Sequence, residues 1–119
     1  MDYTFPASQR LKTPAEFKHV WSQKKRLSGQ NIAIANCKNQ LGYARLGLSL
    51  SKKQIRRAVD RNRIKRVARE TFRHIQSALN GIDLIVVAYK GMDKLSPKEQ
   101  HQCFEALWKR LADICSKHS

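Results

Sequence analysis

Acidic side chains are scarce in this chain: nine Asp and Glu stand against 24 Lys and Arg, a net charge of +15 with a pI near 10.3. A fold does not need that excess, so it bears on partners. For a small domain with a pI above 9 the default partner is nucleic acid. Cysteine is sparse too. Cys37, Cys103 and Cys115 are odd in number and widely spaced, with no C-x-x-C pair, which argues against a disulfide framework or a zinc site and for free, mostly buried thiols. No apolar run approaches the roughly 18 residues of a membrane span. The opening MDYTFPASQRLK has neither a signal-peptide core nor a lipidation motif. Nor is there a basic helix with a bulky apolar insertion face. The expectation is a cytoplasmic protein with no membrane partner.

Catalytic groupings are missing as well. The nine acids are dispersed, and several suit capping or helix pairing, such as Glu16 at a helix start or Glu70 four residues after Arg66. His19, His74, His101 and His118 are scattered over separate segments. No Walker loop, G-x-G-x-x-G or nucleophile elbow is present. No catalytic side chain, bound metal or cofactor is expected in this chain.

The 119 residues, 41% hydrophobic and 28% charged, suit one folded domain, residues 1–119. Its first 12 residues read as an N-terminal arm. Thr13-Pro14-Ala15-Glu16 is a helix start, with Thr13 as cap, proline in the first turn and Glu16 where a capping box places it. Phe17, Val20 and Trp21 then form one apolar stripe, and Lys24, Lys25, Arg26 and Gly29 end the helix. Residues 31–36 alternate Ile32 and Ile34 against Ala33 and Ala35, so one face of a strand carries only small residues. Residues 44–50 alternate again, with Leu46, Leu48 and Leu50 on one side. The two strands, joined by a turn at 39–42, suit an antiparallel hairpin. Residues 82–89 (IDLIVVAY) read as a central strand. Ser96-Pro97-Lys98-Glu99 opens a last helix, whose inner side is Phe104, Leu107, Trp108, Leu111, Ala112 and Cys115.

Between the second and third strands lies the most informative segment, KKQIRRAVDRNRIKRVARETFR, residues 52–73. Ten of its 22 residues are Lys or Arg. The spacing predicts a helix from about Lys53 to Leu79, capped near Asn80-Gly81. Ile64, Val67, Ala68, Thr71, Phe72 and Ile75 share one arc, and Asn62, Arg66, Arg69 and Arg73 follow the far side, with Lys65 beside them. Solvated faces normally mix signs, and this one does not. Like charges four apart repel, so the ridge asks for a polyanion, whose phosphates arginine chelates with two donors. The order is α-β-β-α-β-α, an α+β sandwich.

The stretch Gly47-Leu48-Ser49 with Lys52-Lys53, followed by Arg61-Asn62-Arg63-Ile64-Lys65-Arg66 and Arg69, closely resembles the signature of the protein subunits of bacterial ribonuclease P. The likeness extends upstream through LKTPAEFKHV and downstream to IVVAYK, so it covers essentially the whole chain. What the resemblance implies is a two-layer sandwich like that of a ribosomal protein domain, with a left-handed β-α-β crossover. It implies a ribonucleoprotein that removes the 5′ leader of precursor tRNA, with the active site and magnesium on the RNA subunit. By position, Arg61, Asn62, Arg63, Lys65, Arg66, Arg69, Arg73, Lys52 and Lys53 become contacts to that RNA. Phe17, Trp21, Ala33 and Ala35, with Arg61, Lys65 and Arg69, become a cleft for the leader. Some members carry a stacking aromatic where Ala35 stands here. A ribosomal-type structural RNA-binding protein shares the charge and plan and is the alternative. A DNA-binding helix-turn-helix fits less well, because strands flank the basic helix where that motif needs a second short helix.

Overall fold

A computed structural model describes residues 9–117, with the side chain of residue 117 left aside. Most of the N-terminal arm, residues 1–8, lies outside the described residues. Three helices, α1 (Pro14–Ser22), α2 (Ala58–Ile75) and α3 (Pro97–Lys117), combine with four strands, β1 (Arg26–Ser28), β2 (Ile32–Lys38), β3 (Arg45–Ser49) and β4 (Ile82–Ala88). The α-β-β-α-β-α order read from the sequence holds, with β1 as an added short strand.

Both capping boxes form. Glu16 N–H donates to Thr13 Oγ1 (3.2 Å) and Thr13 N–H to Glu16 Oε1 (3.0 Å). Ser96 and Glu99 repeat the exchange at 3.2 and 2.9 Å before α3. These signals are local, so they survive into the fold unchanged. The basic helix is shorter than its periodicity suggests. Residues 51–57 form a turn, α2 starts at Ala58, and the last four residues of the predicted span tighten into a 3₁₀ turn, Gln76–Leu79.

The sheet order is β1-β2-β4-β3. The expected hairpin of residues 31–36 with residues 44–50, now β2 and β3, does not form. β4 lies between them, antiparallel to β2 and parallel to β3. The reason is visible in β4 itself: Asp83 to Val86 are buried without a break, and a strand apolar on both faces gains most by bonding neighbours along both edges. β1 pairs with β2 instead, Leu27 opposite Ile34. Lys24 and Asn31 take positive φ, 56° and 61°, on either side of this short strand.

One sheet face carries Ile32, Ile34, Leu46, Leu84, Val86 and Ala88. Against it pack Ile64, Val67, Ala68 and Phe72 of α2 and Phe104, Leu107, Trp108 and Leu111 of α3. Trp108 and Phe72 rings meet at 5.6 Å. The indole N–H is satisfied by Thr71 Oγ1 at 2.8 Å, and Thr71 in turn donates to the Val67 carbonyl. The opposite face holds a smaller cluster, Leu11, Val20, Ala35, Cys37 and Ile85, with Phe17 and Val87 at its margin. The short helix α1 therefore lies alone on the far side of the sheet.

Candidate nucleic-acid interface

α2 is held by its apolar arc, and its bases occupy what remains. Asn62, Arg63, Arg66 and Arg69 are exposed, whereas Arg61, Lys65 and Arg73 are half-buried. Arg61, Lys65, Arg69 and Arg73 stand four apart and so form one lane. Partial loss of hydration against the protein, and then the neighbouring Arg10 charge, pull the Arg69 guanidinium below its ordinary pKa. Arg10 bridges to Leu46, and Leu11 N–H donates to the Leu46 carbonyl at 3.0 Å. The arm therefore runs along the outer edge of β3, and the lane borders that edge. Arg66 stands outside the lane and faces solvent. Glu70 meets His101 of α3 at 3.7 Å rather than pairing with Arg66.

Arg61 also has a local task. Its Nη1 donates to the carbonyls of Ile55 and Arg56, each at 2.9 Å. These bonds tie the turn carrying Lys52 and Lys53 to the first turn of α2. The guanidinium has five N–H donors, so these two bonds do not exhaust its capacity.

On the far sheet face, the path of α1 decides what stays open. Phe17 sits on Gly47, where an added Cβ would come within 2.7 Å of Phe17 Cζ. Val20 packs among Ala35, Cys37 and Ile85. Glu16 reaches Arg45 Nη1 at 2.7 Å, and Arg45 in turn grips the buried Asp83 at 2.7 and 2.8 Å. The level Gly47–Ile85–Ala35 thus lies under the helix. One step along, the register sets Ser49, Val87, Ala33 and Ser28 side by side across all four strands. That row is a strip of small side chains roughly 14 Å long at the usual strand spacing.

The two alanines expected together therefore part company. Ala35 is covered by Val20, and Ala33 lies in the strip, where it is buried. Phe17 is half-buried at the strip's margin, and Trp21 is 37% exposed. Sequence reasoning missed Arg10, Arg26 and Arg45. A three-residue strand and a one-bridge arm leave no periodicity to read, and the partners of Arg45, Glu16 and Asp83, lie far from it in sequence. Among the described residues, no group of three or more His, Cys, Asp or Glu is placed to hold a metal ion, and no helix is long and apolar enough to cross a membrane.

A single-signed helix ridge on a small α+β sandwich, with a narrow row of small residues across the opposite sheet face, defines a protein built to bind RNA. The family model of ribonuclease P matches residues 5–112. The ribonuclease P protein component of Chromohalobacter salexigens is 40% identical over 119 residues, covering 99% of this chain and 93% of the relative. That of Salmonella arizonae is 44% identical and covers 89% of each. Among solved structures, the RNase P protein of Staphylococcus aureus superposes with a TM-score of 0.80 at 29% identity, covering 87% of this chain and 94% of that one. The Thermotoga maritima RNase P protein, in complex with 1-(4-fluorophenyl)-2-thiourea, gives 0.76 at 27%, covering 85% and 98%. The chain belongs to the ribonuclease P protein family.

Proposed function

We propose that this protein component serves ribonuclease P by binding and charge neutralisation, with no bond-breaking chemistry of its own. α2 docks on the catalytic RNA subunit through Arg63, Arg66, Arg69, Arg73 and Asn62, with Lys52 and Lys53 extending the contact from the preceding turn. The strip of Ser49, Val87, Ala33 and Ser28 receives the extended 5′ leader of precursor tRNA. Phe17 and Trp21 wall it on the α1 side, and Arg61 and Lys65 border it from the α2 lane. Hydrolysis, with its magnesium ions, is assigned to the RNA, and the complex works in the cytoplasm. What the protein supplies is the offset of phosphate repulsion where two polyanions meet, which lets the RNA act with less magnesium.

The observation that carries this reading is geometric. Arg10 bridges to Leu46 of β3 and bears on Arg69 of the lane, which supports an RNA path from the lane across the edge of β3 to the small-residue strip. Reconstitution tests it. Added to a bacterial catalytic RNA at low magnesium, the protein is expected to restore 5′ cleavage of precursor tRNA. Unchanged cleavage, with the protein folded and in excess, would refute it.

A further inference from the structure

The strip ends, on its β1 side, at a cation and a ring. Arg26 opens β1 opposite Ala35. Tyr89 follows β4, its N–H donating to the Asn31 carbonyl at 2.8 Å. Arg26 and Tyr89 thus stand at different levels of the sheet, beside Ala35 and Asn31, yet Arg26 Cζ lies only 5.8 Å from the Tyr89 ring centroid. The two side chains therefore reach toward each other above Ala33, the strip residue that pairs with Ser28 at the β1 end. That reach is consistent with the complete burial of Ala33, although Val20 packs on the neighbouring Ala35.

The ring is the fixed member of the pair. Asn31 Nδ2 donates to the Lys90 carbonyl at 3.0 Å, and Lys90 N–H donates to Gln54 Oε1 at 2.9 Å. The backbone is thus pinned on both sides of Tyr89, once to Asn31 just before β2 and once to the turn before α2. Arg26, in contrast, is exposed, on a strand of three residues.

We propose that Arg26 and Tyr89 form a base-stacking clasp that holds an unpaired nucleobase of the leader at the β1 end of the strip. This rests on the reading of the strip as the leader's path. A base between ring and guanidinium needs two aromatic contacts of about 3.5 Å each, hence roughly 7 Å between the planes. Arg26 Cζ now lies 5.8 Å from the ring centroid, closer than that spacing, so the exposed arginine swings outward to admit a base. In the free protein the cation covers the ring and keeps an apolar surface from water. In the complex the base takes its place on the phenol face, and the planar guanidinium stacks on the base. Every base has a π-face, so the clasp favours an unpaired nucleotide at that position with little preference for its identity.

The test uses the holoenzyme reconstituted with catalytic RNA, and measures Kd for precursor tRNAs of stepwise leader length beside mature tRNA. Wild type is expected to gain affinity as the leader lengthens. Tyr89→Ala is expected to lose about tenfold for the long leader with mature tRNA unchanged, Tyr89→Phe to keep the gain, and Arg26→Ala to lose several-fold. If Tyr89→Ala, shown folded by its thermal melt, keeps the full gain with leader length, the clasp is overturned and the leader path stands. If wild type binds precursor and mature tRNA equally, the leader path fails, and the clasp with it.

Discussion

Asp83 is a carboxylate with 2% of its surface exposed, in a strand that is otherwise apolar. It is tolerable because Arg45 meets both of its oxygens, and Asn39 Nδ2 adds a third bond at 2.8 Å. The net worth of such a pair is small, but removing one partner strands a buried charge. Arg45→Ala is therefore expected to cost about 3–5 kcal/mol in denaturant unfolding, and Arg45→Ala with Asp83→Ala less than the sum of the two singles. Glu16 is the other carboxylate on Arg45. The backbone N–H groups of Lys12 and Thr13, and then the Arg45 charge, hold its pKa at about 2 against an ordinary 4.5. The unfolded chain thus binds the proton more readily, and the stabilisation is complete above pH 4.5 and lost as pH falls toward 2. The melting-temperature gap between wild type and Glu16→Gln should be widest near neutrality and close over that window. A gap independent of pH would show that the cap and ion pair do not act through the carboxylate's charge.

At the scale of elements, α1 and β3 are fitted by the absence of one carbon. Gly47 lets the Phe17 ring descend onto the sheet. Gly47→Ala is expected to lift α1 and cost about 1–3 kcal/mol, seen as a lower Tm and as greater exposure of Trp21 to a fluorescence quencher. An unchanged melt and unchanged quenching would mean the contact yields freely. The same elements show what a sequence discloses. Both capping boxes, the α2 arc and the α3 inner side were legible, because each is written within a few turns of one helix. The ridge of Asn62, Arg66 and Arg69 was legible for that reason too. The placement of β4 between β2 and β3 was not, since pairing order is settled by long-range burial that period-2 alternation does not encode. The fates of Ala33 and Ala35 differ only because α1 crosses one level of the sheet and not the next. Nothing in the local alternation distinguishes the two. The residue types that mark an RNA site were in view, and the distances between elements that assemble them were not.

Over the whole molecule, a net charge of +15 on 119 residues is a cost in the free protein and an asset in the complex. The exposed bases repel one another across α2, and Arg10 adds to the field at Arg69. Bound phosphates reverse the sign of that contribution and release condensed counterions. If about six phosphates are neutralised, the log–log dependence of assembly on salt should have a slope near −4 to −5. The alternative, a solvated charged face with no docking role, predicts no such dependence on α2 in particular. Arg66 and Arg69 are exposed, so removing them should leave the core intact. The most direct measurement is therefore the salt dependence of Kd for assembly with the catalytic RNA, taken for wild type and for Arg66→Ala with Arg69→Ala. The account predicts weaker assembly and a slope flatter by about 2 in the variant; the same affinity and the same slope in both proteins would contradict it.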